Sequence, residues 1–500
     1  MKGDRLPDPR LLSRAIHGFK WNYLGNLGRV ASQFVSAIVL ARLLSPSEFG
    51  LVSLAWIFVN VAKLVADFGM GASLVQRRSF DSRALHTAFS AQIIVGTTIY
   101  LLFFLGRNEI ADYLGSPQLG PVLAALGLTF PMLAVTQVFS SVLVRNLNFK
   151  ELQIANTSSY LLAYFGFAIP AAYLGLGVWS LIGAQLLQAA LNLALVIKYS
   201  RIDVKFKFSD WDPTVFKFGS KVLLANVTSW IILNFDAILI AKIFGTYSLG
   251  LYNRAQNLLL IPVNAAMSGL QPVVFSGFAK SNGKGEIERS FLNVSIVVAL
   301  LSVPLLLTAA SISRTIILGF YGEKWISAQP LFAGLCIAMI FHVLLCMVGP
   351  TLMAIDSVKK EVYAQLSLIL LVGIALYMWR ANLTLDLLPW CIAVIYGVRL
   401  LLLIIFLRSR LPIDLPKYMA IIFGTVAVSL PMVAITKITE SSLSASVLPA
   451  WAMLLVCMLV ALVAYPACVL VGARFLLPDD IKNIIRTGDK FPLFFRKIIK

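Results

Sequence analysis

Charge is what this sequence has least of. Asp, Glu, Lys and Arg together supply 13% of its 500 residues, about half the share in an ordinary soluble domain. So few charges cannot cover a water-facing globule of this size, which excludes a conventional soluble enzyme or binding module. Histidine is nearly absent, with three residues. The five cysteines (Cys336, Cys346, Cys391, Cys457 and Cys468) lie in apolar stretches without CxxC spacing, so neither a disulfide framework nor a zinc site is implied. A phosphate-binding G-x-x-x-x-G-K-[ST] run is also missing, and Gly283-Lys284-Gly285 reads as a flexible turn, which argues against direct ATP hydrolysis. The sequence calls for no cofactor and no metal.

What fills the chain instead is hydrophobic runs. The AVILMFWYC class reaches 59% and the mean hydropathy is +0.85. A bilayer-crossing helix needs about 20 mostly apolar residues. Such stretches are expected at 24–44, 49–69, 86–106, 120–142, 155–175, 178–198, 219–243, 251–273, 290–310, 328–352, 362–380, 387–407, 418–437 and 448–472. The expected fold is an all-α polytopic membrane protein of about fourteen transmembrane helices. The first 20 residues are polar and basic, without the apolar core of a cleavable signal peptide.

The net charge of +19 raises nucleic acid as a partner, and its placement argues against that. Of the 42 basic residues, 29 fall in the two tails and in every second loop, three in the alternate loops, and ten within or at the ends of spans. Nucleic-acid binding would gather them on one face. Alternation is the positive-inside pattern, and it places both termini in the cytoplasm of a multi-pass inner-membrane protein.

The sequence repeats itself. Ala41-Arg42-Leu43-Leu44-Ser45-Pro46-Ser47-Glu48-Phe49-Gly50-Leu51 is echoed by Ala241-Lys242-Ile243-Phe244-Gly245-Thr246-Tyr247-Ser248-Leu249-Gly250-Leu251, and Ala55 by Ala255. Lys150-Glu151 and Ser200-Arg201 have counterparts in Lys360-Glu361 and Ser409-Arg410. Six spans per repeat give two parallel halves, an arrangement that places a transport site between them. The expected domains are an N-lobe at 1–200, a cytoplasmic linker at 201–218, a C-lobe at 219–410, and at 411–500 two further helices with a basic tail. Between Tyr418 and Ala473 the only charges are Lys437 and Glu440, so the last two spans read as a lipid-facing appendage.

Polar residues inside spans are costly and mark function by default. Asn22, Asn26, Arg29, Gln33 and Ser36 recur at helical spacing, as do Ser53, Trp56, Asn60, Lys63 and Asp67, and then Asn253, Asn257, Asn264, Ser268 and Gln271 beside Arg254. Asn226, Asp236 and Arg399 lie in other spans. The competing readings are local: Lys63 and Asp67 can neutralise each other, Lys221 and Arg254 can snorkel, and polar stripes also join helices. Arg29 and Arg399 resist those explanations. An excess of buried base predicts an anionic ligand, and guanidinium suits phosphate in shape as well as charge. Trp21, Tyr23, Trp56, Trp230 and Tyr252 could stack on sugar rings, although an interfacial belt accounts for them as well.

The run from Ala41 to Leu51 resembles the "ARLLSPxxFG" signature of Wzx-type polysaccharide flippases. Asp67-Phe68-Gly69-Met70-Gly71 through Leu74-Val75-Gln76-Arg77, Arg145-Asn146-Leu147-Asn148-Phe149-Lys150, the segment from Asp236 to Tyr252, and Gly322-Glu323-Lys324-Trp325 resemble further motifs of that group. The set is similar to the polysaccharide transporter branch of the multidrug/oligosaccharidyl-lipid/polysaccharide exporter superfamily. The resemblance implies two six-helix lobes around a cavity plus two extra helices. It implies a substrate of one oligosaccharide repeat unit on undecaprenyl diphosphate, flipped toward the periplasm, with a polymerase and chain-length/export proteins as partners. The candidate substrate residues are Arg29, Lys63, Arg254, Arg399, Asn26, Gln33, Asn60 and Asn257, with Asp67 and Asp236 as coupling candidates. A lipid II or multidrug exporter of the same superfamily is the alternative. A membrane glycosyltransferase or polymerase is disfavoured by the shortness of the loops, and a purely structural scaffold by the buried arginines.

Overall fold

A computed structural model describes residues 9–67, 82–202, 214–279, 283–355, 384–444 and 448–476. All regular structure among the described residues is helical. The expected span at 362–380 lies outside them.

The chain divides into two compact units, 1–253 and 254–500. The first opens with α1 (Pro9–Leu43), α2 (Pro46–Asp67) and α3 (Ser82–Leu105). A short α4 (Arg107–Tyr113) precedes α5 (Leu119–Gly127) and α6 (Thr129–Arg145). The expected span at 120–142 is thus two segments joined at Leu128. Then come α7 (Phe149–Ala163), a wide π-turn (Tyr164–Ala168), α8 (Ile169–Tyr173) and α9 (Val178–Ser200). Pro170 explains the wide turn. Proline has no N–H for the residue four back, and here Ile169 donates instead to the Tyr164 carbonyl five back.

α10 (Thr214–Ala279) consists of two helical segments that meet at a kink at Gly245 (φ 79°, ψ 177°), a position between the expected spans 219–243 and 251–273. A positive φ is open to glycine at little cost, so one residue does the work of a loop.

The second unit contains α11 (Lys284–Ser311), α12 (Ser313–Phe320), a 3-10 turn (Glu323–Ala328) and α13 (Gln329–Ala354). It closes with α14 (Leu388–Arg408), α15 (Leu415–Ser444) and α16 (Ala450–Leu476). Among the described residues, eight helical stretches are long and apolar enough to cross a bilayer, from Leu85–Leu105 to Ala450–Gly472.

In the first unit α3, α6, α7 and α9 pack around Phe139, Leu143, Ala155 and Val196, with Phe89 edge-on to Phe139 at 6.0 Å. In the second, α11 lies against α13 and α15, and Phe291 stacks on Tyr418 at 5.8 Å. The last two helices are held to the rest of the unit by polar contacts. Glu440 is buried, accepts hydrogen bonds from Thr315 at 2.5 Å and Lys437 at 2.6 Å, and Lys437 also reaches the Ser311 carbonyl at 3.0 Å. The Tyr465 hydroxyl donates to the Leu301 carbonyl at 2.9 Å. The opposite side of α16 (Trp451, Leu455, Leu459, Leu462, Phe475) is exposed and apolar, as a lipid face must be.

Candidate functional site

The first copy of the repeated motif has a plain structural reason. Ser45 and Glu48 form a capping box: Ser45 donates its backbone N–H (2.7 Å) and hydroxyl (2.8 Å) to the Glu48 carboxylate, and Pro46 occupies the first helical position. That box starts α2. Its glycine then meets the second copy. A Cβ on Gly50 would stand 2.6 Å from the Thr246 carbonyl carbon and nearer still to its oxygen, while one on Gly250 would stand 2.9 Å from the Pro46 carbonyl carbon. The contact is reciprocal under the 200-residue offset: Gly50 faces Thr246 and Gly250 faces Pro46. Both glycines are buried, as are Ala41 and Ala241.

The polar stripe of α1 lies along α7. Ser36, 1% exposed, shares a hydrogen bond of 2.5 Å with the buried Tyr160 hydroxyl, so its role is to join helices. Farther along, Gly25 lies against Gln153. Arg29 is half-buried; its Nη2 donates to the Asn26 Oδ1 at 3.0 Å, and its Nε is buried without a hydrogen-bond partner. Gln33 and Asn60 are half-buried. The side chains of Lys63, Asp67 and Asp236 lie outside the described residues.

α7 and α9 add polar stripes that are not among the expected site residues. Tyr160 and Tyr164 stack at 4.3 Å with planes 16° apart. The Tyr164 hydroxyl donates to Gln185 Oε1 at 3.0 Å, and Asn192 donates to Asn156 Oδ1 at 2.8 Å. Their signal lies in the spacing: Gln153, Asn156, Thr157, Tyr160 and Tyr164 recur at helical intervals, as do Gln185 and Asn192.

In the second unit Arg254 and Arg399 sit among different neighbours. Both are half-buried with a buried Nε. The Arg254 carbonyl accepts from the Tyr321 hydroxyl at 3.3 Å, and Tyr321 tilts against Trp325 at 5.6 Å. Burial pushes the Tyr321 phenol up to about 12, with the Arg254 charge partly opposing the rise. Arg399 lies one turn from Tyr396, whose ring meets His342 at 5.6 Å. His342 Nε2 is 3.8 Å from the Cys346 Sγ, and Gln271 donates to the Cys346 carbonyl at 3.2 Å. A lone histidine in an apolar run carries no sequence signal, because its ring partner Tyr396 comes from α14. Asn257 is half-buried on α10. Among the described residues no three metal-ligating side chains converge.

These sites lie on a chain whose residues 39–330 match the family model described as polysaccharide biosynthesis protein. The chain belongs to this family. It is 27% identical over 405 residues to the teichuronic acid biosynthesis protein TuaB of Bacillus subtilis, covering 79% of this chain and 82% of that one. It is 25% identical over 348 residues to the lipopolysaccharide biosynthesis protein WzxC of Escherichia coli (69% and 70% covered). With the succinoglycan biosynthesis transport protein ExoT of Rhizobium meliloti it shares 25% identity over 320 residues (64% and 65%). Its fold is similar to that of the lipid II flippase MurJ in an inward closed conformation, with a TM-score of 0.72 at 12% identity over 91% of this chain and 99% of that one. It also resembles an inward-facing multidrug resistance transporter of the MOP superfamily, with a TM-score of 0.57 at 16% identity, covering 76% and 94%. This member of the polysaccharide biosynthesis protein family therefore combines an all-helical fold similar to that of MurJ with eight described helical stretches long and apolar enough to cross a bilayer.

Proposed function

We propose that the chain flips an undecaprenyl-diphosphate-linked oligosaccharide repeat unit from the cytoplasmic to the periplasmic leaflet, without enzymatic chemistry. The observation that carries this reading is Arg29, a guanidinium whose Nε is buried without a hydrogen-bond partner on a helix of a polytopic membrane protein. An arginine at the bilayer centre costs about 2.5–3.5 kcal/mol on insertion scales, and an anionic ligand is what offsets such a cost in function. The relatives' association with polysaccharide biosynthesis and transport supports the sugar.

In this mechanism the diphosphate rests against Arg29, Lys63, Arg254 and Arg399, and the glycan meets Asn26, Gln33, Asn60 and Asn257. Six-helix lobes at 1–200 and 219–410 alternate access in a fourteen-helix protein with cytoplasmic termini, and Asp67 and Asp236 couple the cycle to an ion. The reciprocal Gly50–Gly250 contact supports the repeat on which such lobes depend. A polymerase and chain-length/export proteins take the product onward.

The test is Arg29→Ala combined with Arg399→Ala in a strain whose own copy is deleted. The expected result is loss of polysaccharide and accumulation of lipid-linked repeat units inside the cell at normal protein level. Full export by the double variant refutes the cationic site. Absence of lipid-linked repeat units from the deletion strain points instead to a glycosyltransferase.

A further inference from the structure

Helices α7 and α9 carry a second kind of chemistry beside the guanidinium groups. On α7 and the π-turn that continues it, the lipid-compatible residues Leu161, Leu162 and Phe165 are exposed, while Asn156, Thr157, Tyr160 and Tyr164 share another side. Tyr160 and Tyr164 form the stacked pair, Tyr164 donates to Gln185, and Asn156 accepts from Asn192. Two features separate this patch from simple helix-joining contacts. First, Asn156, Thr157, Tyr164 and Asn192 are each half-buried, unlike Ser36, so the patch is not sealed. Second, Thr157 Oγ1 and Asn192 Oδ1 are buried without a hydrogen-bond partner. An unmet buried acceptor costs about 1–3 kcal/mol, and such groups call for a hydroxyl or a water.

We propose that Asn156, Thr157, Tyr160, Tyr164, Gln185 and Asn192 form a subsite for a neutral, hydroxyl-rich sugar residue. The inference rests on the lipid-linked-sugar reading above and adds where the sugar is gripped. Side-chain amides both donate and accept, which matches a hydroxyl that does the same. The tyrosine pair presents an apolar ring with a polar tip, suited to a sugar's mixed faces. None of the six carries a charge at neutral pH, so the patch selects against an anionic ring. The π-turn begins at Tyr164, where the helix widens beside the patch, and such turns recur at functional sites.

The experiment compares two probes on the purified full-length protein in nanodiscs: farnesyl diphosphate, and farnesyl diphosphate bearing one neutral hexose. The wild type is expected to bind the hexosylated probe about tenfold more tightly, the worth of one to two net hydrogen bonds. Asn156→Ala with Asn192→Ala should abolish that preference and leave the bare probe's affinity unchanged, which also reports that the protein has folded. Tyr164→Phe, which keeps the stacked ring, should lose about threefold of the preference. Retention of the full preference by both variants overturns the subsite alone, as does a wild type that binds the two probes equally. A wild type that binds neither probe overturns the lipid-linked-sugar reading, and the subsite falls with it.

Discussion

Replacing Gly50 by alanine adds one methyl group where two helices meet backbone to backbone. The new Cβ would lie 2.6 Å from the Thr246 carbonyl carbon, whereas carbon atoms rest at about 3.5–4.0 Å. The Thr246 oxygen is nearer still, so the crossing must open by more than about 1 Å. The obstruction is main chain, so no side chain can rotate away to relieve it. Overpacking of this kind costs about 1–3 kcal/mol, and the upper end applies here. The control is Gly277→Ala, where nothing lies within 4 Å of the added atom and the change should gain up to about 1 kcal/mol in helix propensity. Thermal unfolding of the purified proteins, followed by tryptophan fluorescence, should rank Gly50→Ala well below wild type and Gly277→Ala at or above it. Gly250→Ala should match Gly50→Ala, because its Cβ meets the Pro46 carbonyl carbon at 2.9 Å. The double variant should lose less than the sum, since one widened crossing accommodates both methyls. Wild-type stability for Gly50→Ala would refute the backbone contact, and strict additivity would refute its reciprocity.

Polar contacts give further expected outcomes. Glu440→Ala removes the group that Thr315 and Lys437 share and should cost about 2 kcal/mol, as expected for hydrogen bonds to a buried charge; an unchanged unfolding temperature would show that the Glu440 carboxylate does not hold the last two helices. Tyr321 supplies a pH dependence. Its phenol ionises at 10.0 in an unfolded chain and at about 12 in the folded one, so the folded state holds the extra proton between those values. Stability is therefore fully present below pH 10 and falls through pH 12, by about 1.4 kcal/mol per unit from this group. Tyr321→Phe should flatten that part of the curve, and an alkaline profile identical to wild type would show the phenol to be unburied.

How much of the fold is legible in the sequence depends on the range of the interaction. Hydropathy marks α11, α13, α14 and α16 because lipid exposure acts on each helix alone. The repeat is visible because Gly50 and Gly250 keep their place in two copies of one motif. Their meeting is not visible, because a contact 200 residues long leaves no periodic trace. Gly245 reads as punctuation between two spans, and helical geometry does break at that residue. In the candidate site, the α1 stripe is legible from spacing alone. Its division of labour is not: Ser36 turns inward to Tyr160 while Arg29 bonds Asn26 on its own helix. His342 is silent for the same reason, because Tyr396 reaches it from α14.

The wide turn at Tyr164–Ala168 sets the helical phase of the residues after it. One extra residue in a turn advances every later position by about 100° relative to an unbroken helix. Tyr173 and Leu174, highly exposed beyond the turn, point where they do because of that advance. Deleting one residue from Tyr164–Ala168 would let an ordinary helix re-form up to Pro170 and would swing this apolar end away from its present side. The chain is thus more sensitive here to the number of residues than to their identity. Single-residue deletions should be poorly tolerated at positions where many substitutions are harmless.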